Sequence, residues 1–276
     1  MRPSDIARTL KSLIPTRRPV YLWGPPGVGK SSCVHQAVKD LGLMLVDLRA
    51  VLLDPVDLRG LPSIRDGRAH WCPPSFFPHA GEGVIFADEL AQAPPLVQAG
   101  FLQLTLDRKI GDYELPSGWT VLAASNRQED RAGTHKLISP LLNRFIHLDL
   151  EVSHEDWMAW AIESGVPVEV RAFLNFKPGL LFDFNPASGA RAFPTPRSWA
   201  FVGEVLPYTP QDLLFSVVAG TVGEGPAAEF TAFCEIFQKL PDPDAVLEHP
   251  TQAKVPDAKA VSVLYALVGA LSERMR

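Results

Sequence analysis

The chain has 276 residues, 46% of them hydrophobic and 21% charged, which is enough to fill the core of one large or two modest domains. Its formal net charge of −5 argues against a surface built mainly to bind polyanions, although it is compatible with a local basic patch. The first residues are too polar for a secretory signal, and no apolar run approaches the roughly 18 residues of a membrane span. We therefore expect a cytoplasmic protein with no membrane partner.

The first predicted strand and helix flank a loop rich in glycine. An apolar run over Pro19–Trp23 favours a strand, and apolar residues at helical spacing after the loop favour a helix that ends at Gly42. The segment between them, GPPGVGKSS, fits the phosphate-binding pattern G-x-x-x-x-G-K-[ST]. In such a loop, backbone N–H groups and the helix N-terminus surround phosphate oxygens, Lys30 reaches the terminal phosphates and Ser31 can ligate magnesium. The predicted nucleotide-binding residues are Gly24, Pro25, Pro26, Gly27, Val28, Gly29, Lys30, Ser31 and Ser32.

A second apolar run supplies acidic side chains. The segment GVIFADEL predicts a buried parallel strand that delivers Asp88 and Glu89 at its carboxyl end, the edge where open α/β sheets bind ligands. Asp88 is suited to hold magnesium together with Ser31, and Glu89 is suited to polarise an attacking water. Adjacent acids at the start of a helix can also serve simply as N-terminal caps. The phosphate loop earlier in the chain favours the catalytic interpretation.

Three further polar residues are candidates for catalysis, each with an ordinary structural alternative. Asn126 ends the apolar strand TVLAASN, where its amide could orient the water or contact the γ-phosphate, although turns also favour asparagine. Arg144 lies between a short helix and a fourth strand in SPLLNRFIHLDL, and Arg197 lies in the first turn of an amphipathic helix in FPTPRSWAFVGEVL. Arginines on a helix surface are commonly solvated or ion-paired, so position alone does not assign them a role.

The pattern of elements changes near the middle of the chain. Residues 1–150 alternate strand and helix signals, which predicts an α/β nucleotide-binding domain with a parallel sheet flanked by helices. Residues 151–276 carry apolar residues at helical spacing, in segments such as SHEDWMAWAIESG and PAAEFTAFCEIFQKL. We expect a smaller, all-helical domain there.

The motifs, taken in order, resemble those of a known family. GPPGVGKS, VIFADE, AASN, LLNRF and TPRS look like the Walker A, Walker B, sensor 1, arginine-finger and sensor 2 elements of AAA+ ATPases. The chain is similar to the MoxR-like branch, because DPVDLRGLP and GRAHWCPPSFF stand where those proteins carry an insert in helix 2. LTLDRKIGDYELPSGWTVLAASN stands where they carry a hairpin before sensor 1. The resemblance covers nearly the whole chain and implies a P-loop AAA+ fold followed by a helical lid.

The resemblance also implies roles and partners. The residues that would act on ATP and Mg²⁺ within one subunit are Lys30, Ser31, Asp88, Glu89 and Asn126. Arg144 would reach the γ-phosphate of a neighbouring subunit, and Arg197 would contact the nucleotide from the lid of its own subunit. Such proteins form hexameric rings, and MoxR-like members commonly work with a partner that contains a von Willebrand factor A domain while they remodel or activate a protein client.

Two other classes of function share the phosphate loop. One is a nucleic-acid motor of a restriction or replication complex, against which the acidic charge and the absence of Lys/Arg runs weigh. The other is a small-molecule kinase or GTPase switch, although no guanine-reading N-K-x-D motif is present. The segments expected to touch a substrate are residues 54–79 and the stretch from Arg108 to Glu114, both of which can equally be plain surface loops.

Overall fold

The computed structural model describes residues 1–130, 137–238, 240, 243–248, 250–251 and 260–274. The chain divides into two compact units, Met1–Glu151 and Val152–Arg276. The strands, all in the first unit, are β1 (Val20–Trp23), β2 (Met44–Arg49), β3 (Leu61–Arg65), β4 (Arg68–Cys72), β5 (Gly83–Asp88), β6 (Lys109–Ile110), β7 (Tyr113–Glu114), β8 (Trp119–Ser125) and β9 (Ile146–Asp149). Its helices are α1 (Pro3–Leu13), α2 (Lys30–Asp40), α3 (Pro55–Arg59), α4 (Pro95–Leu106) and α5 (Ser139–Leu142).

A five-stranded parallel sheet organises the first unit. Its strands follow the order β2-β5-β8-β1-β9, and every neighbouring pair is parallel. Every residue of β5 and β8 is buried, which explains why both strands are continuous apolar runs in the sequence. The predicted fold, a parallel sheet flanked by helices and followed by a helical region, is confirmed.

The register of the sheet places the ends of four strands side by side. Arg49 at the end of β2 pairs with Asp88 at the end of β5, and Asp88 pairs in turn with Ala124 of β8. Ser125, the last residue of β8, pairs with Trp23 at the end of β1. Segments that lie as much as a hundred residues apart in the sequence therefore meet at the carboxyl edge of the sheet.

The two segments expected to touch a substrate both form hairpins. Residues 54–79 contain α3 and the antiparallel pair β3–β4, and the stretch after Arg108 forms the pair β6–β7. The hairpins contact each other, because the backbone N–H of Trp71 donates to a carboxylate oxygen of Asp112 at 2.8 Å. The guanidinium of Arg59 lies 4.9 Å from the centre of the Trp71 ring, which adds a cation–π contact at the base of the first hairpin.

Gly60, where α3 turns into β3, is predicted to be the most sensitive glycine of this region. It has φ 84° and ψ −165°, and a Cβ atom added to it would lie 1.8 Å from the carbonyl oxygen of Cys72. Gly60→Ala is expected to cost about 2 to 4 kcal/mol of unfolding free energy. Gly67→Ala is the matched control, because Gly67 also has a positive φ of 71° but nothing within 4 Å of the added atom. That change is expected to cost about 1 kcal/mol. Urea unfolding followed by tryptophan fluorescence measures both, and equal losses would contradict the clash.

In the residues that the structure describes, the regular elements of the second unit are all helices. Its helices are α6 (His154–Glu163), α7 (Val168–Phe176), α8 (Pro196–Val205), α9 (Leu214–Val222), α10 (Glu224–Gln238), α11 (Pro243–Glu248) and α12 (Val261–Arg274). Phe173, Trp199 and Phe230 are fully buried and lie 5.3 to 5.6 Å apart, centre to centre, in the aromatic middle of its core. Over the described part of the chain, no helix combines the length and apolar character needed to cross a bilayer.

Candidate active site

The glycine-rich loop joins β1 to α2, as its sequence pattern predicts. Gly27 and Gly29 have φ values of 73° and 96°, in the left-handed region that favours glycine. A Cβ on Gly24 would approach the carbonyl oxygen of Leu150 to 2.9 Å, so the loop also needs glycine for close packing. Because α2 begins directly after Gly29, its first backbone N–H groups have no helical partner and face the loop. This arrangement is suited to an anion.

Lys30 connects the loop to the end of β8. Its Nζ donates to the carbonyl oxygens of Gly24 and Pro25, each at 2.8 Å, and to the amide oxygen of Asn126 at 2.7 Å. The ammonium group is therefore enclosed between the loop and the residue that follows β8. Asn126 and the phosphate loop, assigned separately from sequence, lie at one site.

Asp88 is a deeply buried carboxylate of the site, with 3% of its surface exposed. Its Oδ2 accepts a hydrogen bond from the hydroxyl of Ser31 at 2.7 Å, and its Oδ1 accepts one from the backbone N–H of Glu89 at 3.0 Å. A hydroxyl and a carboxylate held this close are the hard oxygen donors that Mg²⁺ takes alongside phosphate oxygens. The residues predicted to hold magnesium therefore fit that ion.

Glu89 has an unusual backbone conformation, with φ 60° and ψ 32°. Residues other than glycine rarely adopt this left-handed region, and doing so costs on the order of 1 to 3 kcal/mol. The turn Leu90–Gln92 follows at once, and Gln92 donates its N–H to the carbonyl oxygen of Glu89 at 2.9 Å. A strained turn at the end of β5 therefore fixes the backbone of Glu89. A residue that served only as a helix cap, the alternative expectation, would not need this strained conformation.

A buried pair of hydroxyls supports that turn, and sequence reasoning missed it. Ser125 Oγ lies 2.7 Å from the hydroxyl of Tyr21 and accepts the backbone N–H of Ala91 at 2.8 Å. Burial raises the pKa of the Tyr21 hydroxyl well above its usual value, so this group stays neutral. These contacts tie β1 and β8 to the segment after Glu89. A serine at the end of an apolar strand is the signal that could have suggested them.

Of the two arginines predicted to act in catalysis, Arg144 lies in the first unit and Arg197 in the second. Arg144 lies two residues before the start of β9, at the amino edge of the sheet, where the N–H of Ile146 donates to the carbonyl oxygen of Pro19 at 2.9 Å. Its Nε donates to the carbonyl oxygen of Pro140 at 3.1 Å, and its Nη1 has no partner among the described residues. Arg197 is an exposed residue in the first turn of α8, in the second unit.

Arg49 is the charged residue that sequence reasoning missed. It ends β2, an edge strand, and its Nη1 lies 2.6 Å from Oδ2 of Asp88. Half of the Arg49 side chain is exposed, whereas only 4% of the Asp88 side chain is. The local sequence signal for this strand and its terminal arginine is the run MLVDLR. Apolar and polar residues alternate only weakly in this run, and it ends in a cation.

The parallel sheet, the loop that encloses Lys30 and the Ser31–Asp88 pair at the carboxyl edge define a P-loop nucleotide-binding protein. Residues 20–150 match the family described as ATPase family associated with various cellular activities (AAA). This match covers most of the first unit, which is therefore similar to an AAA ATPase domain, a type of domain that uses ATP with Mg²⁺ as the usual metal partner.

Other similarities cover parts of larger proteins. A stretch of 71 residues is 42% identical to the replication factor C large subunit of Pyrobaculum calidifontis, which is 25% of this chain and 15% of that one. The fold is similar to NtrX from Brucella abortus in complex with ADP, with 13% identity and a TM-score of 0.50 over 98% of this chain and 63% of that one. The RuvB Holliday junction branch migration motor of Thermotoga maritima shows 19% identity and a TM-score of 0.45, over 97% and 81% of the two chains. The chain thus spans less than two thirds of the first two proteins.

Proposed function

We propose that the protein is an ATP-hydrolysing AAA+ motor that assembles into a ring, with each active site completed by Arg144 of a neighbouring subunit. The observation that carries this proposal is the position of Arg144. It lies before the first residue of β9, which pairs with the first residue of β1, whereas the phosphate loop follows the last residue of β1. The four residues of β1 therefore put about 10 Å between the strand end beside Arg144 and the strand end where the phosphate loop begins. Arg144 is thus poorly placed for its own site and available to another.

The residues around the loop divide the work of hydrolysis. Lys30 exchanges its contacts with Gly24, Pro25 and Asn126 for oxygens of the terminal phosphates and neutralises their charge. Glu89 accepts a proton from the attacking water as the new bond to the γ-phosphorus forms and the bond to the β-phosphate oxygen breaks. Asn126, released from Lys30, orients that water or the γ-phosphate with its amide.

Ser31 and Asp88 would hold Mg²⁺, which supplies charge stabilisation on the β- and γ-phosphate oxygens when it is bound. The hydrogen bond from Ser31 to Asp88 orients the hydroxyl so that a lone pair of its oxygen stays available. Arg197 would contact the nucleotide from the helical unit and report whether ATP or ADP is bound. The capped start of α8, where Ser198 N–H donates to Thr195 Oγ1 at 3.0 Å, gives that arginine a fixed backbone.

The finer assignment is a MoxR-type remodeller, which forms a hexameric ring, acts on a protein client and works with a von Willebrand factor A domain partner. The resemblance of the helix 2 insert and of the hairpin before β8 supports it. In the first of these hairpins, Leu61 and Ile64 are 66% and 83% exposed, which suits a protein-contacting loop. The two units would correspond to the nucleotide-binding domain and its lid.

A nucleic-acid motor is the second candidate, and the 71-residue match to a replication factor C subunit favours it. Stimulation of ATP turnover separates the two. Single-stranded or duplex DNA is expected to leave turnover unchanged, because the chain carries a net charge of −5, whereas a co-purified protein partner is expected to raise it. Stimulation by DNA that weakens as salt rises would instead establish the nucleic-acid motor. The candidate protein partners for this test are those that co-purify with the Glu89→Gln protein in the presence of ATP.

A further inference from the structure

The ion pair between Arg49 and Asp88 lies inside the proposed magnesium site, although neither the sequence motifs nor the family resemblance assigns Arg49 a role. Nη1 of Arg49 and the hydroxyl of Ser31 contact the same oxygen, Oδ2 of Asp88, at 2.6 Å and 2.7 Å. The other carboxylate oxygen accepts the N–H of Glu89. The carboxylate of Asp88 therefore already accepts hydrogen bonds from three donors that the protein itself supplies.

A carboxylate that is 97% removed from solvent is costly unless a positive charge or several donors compensate it. Arg49 supplies that positive charge to Asp88. The pair is nevertheless asymmetric, because half of the Arg49 side chain is exposed on an edge strand and can turn towards water without crossing the core.

A divalent cation held by Ser31 and Asp88 would meet this guanidinium at very short range. Like charges at such distances repel by several kcal/mol at the effective dielectric of a protein surface, so both cannot keep full contact with Oδ2. We propose that Arg49 is a built-in counter-cation for Asp88: it holds the carboxylate in place without metal and turns outward when Mg²⁺ and nucleotide bind. Arg49 is thus a positioning residue that lowers the affinity of the site for Mg²⁺. The inference rests on the proposed function for the identity of the metal ligands.

The pairing is tested first without nucleotide, in EDTA, by a double-mutant cycle read out as the melting temperature. Arg49→Gln is expected to lower Tm by about 3 to 6 °C, because it leaves a buried carboxylate without its cation. Adding Asp88→Asn to that variant should recover most of the loss, while Arg49→Lys should stay close to wild type. The control is Arg8→Gln, which removes a 2.8 Å ion pair to Asp5 from an arginine that is 83% exposed. A loss no larger than that of Arg8→Gln, or no recovery in the double variant, overturns the pairing.

The competition is tested by the affinity for a fluorescent ADP analogue, measured in saturating Mg²⁺ and again in EDTA. The ratio of the two affinities measures how strongly Mg²⁺ and ADP support each other. We expect this ratio to rise about tenfold in Arg49→Gln, because the competing charge is gone, and to stay near the wild-type value in Arg49→Lys and Arg8→Gln. An unchanged or lower ratio in Arg49→Gln overturns the inference. If the wild-type protein binds ADP equally with and without Mg²⁺, that result instead contradicts the proposed magnesium site. The melting experiment without nucleotide still decides whether Arg49 pairs with Asp88.

Discussion

Glu89→Gln is expected to lower kcat by about 10² to 10⁴-fold while ATP affinity stays within about threefold of wild type. Glutamine keeps the size of the side chain and the strained backbone turn, but it cannot take up the proton of the attacking water. Lys30→Ala is expected to show the opposite pattern. Lys30 lies among the loop carbonyls and beside Asn126. In the proposed mechanism its ammonium meets the phosphates of ATP before any bond changes, so its loss is expected to weaken binding itself.

Equilibrium binding of ATP and steady-state release of phosphate, measured on the same preparations, separate the two effects. Glu82→Gln is the matched control, because this glutamate lies just before β5 with 64% of its side chain exposed and pairs with Arg17 at 3.4 Å. It should leave both quantities near wild type. If Glu89→Gln lost ATP binding as completely as Lys30→Ala, Glu89 would be part of the binding loop rather than the catalytic base.

The local parts of the site follow from the sequence because neighbouring residues in the chain build them. The residues from Gly24 to Ser32 form one continuous segment that runs from the end of β1 into the first turn of α2, so its composition determines its conformation. Asp88 is the last residue of β5 and Glu89 follows it, and the five earlier positions of the strand are all apolar, which marks both the buried strand and its polar end. These features need no knowledge of how distant strands pair.

The remaining contacts depend on strand order and register, which composition does not reveal. Arg49 meets Asp88 only because β2 lies beside β5 in the order β2-β5-β8-β1-β9 and ends at the same level. Ser125 meets Tyr21 because β8 lies beside β1. A weakly alternating edge strand such as β2 gives little periodic signal, and an arginine at its end looks like an ordinary surface residue. The roles of Arg144 and Arg197 depend on a neighbouring subunit and on the second unit, so they stay predictions.

Arg144→Ala is expected to abolish most turnover, by about 10³-fold or more, with ATP affinity nearly intact. In the proposed mechanism the guanidinium neutralises charge that develops on the transferred phosphoryl group, so its effect is expected in the transition state rather than in binding. Its surroundings suit an arginine that serves another molecule. Arg144 lines an open groove of about 760 Å³ together with Arg18 and Asn143. Arg8→Ala, which removes a largely exposed arginine of the same unit, is the control and should leave turnover unchanged.

The decisive form of this experiment mixes two inactive proteins. A Lys30→Ala subunit cannot use its own site but still carries Arg144, whereas an Arg144→Ala subunit has an intact site without the arginine. In the proposed ring the arginine acts across the interface, so titrated mixtures of the two should recover activity that neither shows alone, with a maximum at an intermediate ratio. Native mass spectrometry in ATP and Mg²⁺ shows whether the subunits assemble together. If they assemble together and remain as inactive as the separate components, Arg144 does not act on a neighbour, and the ring mechanism loses the observation on which it depends.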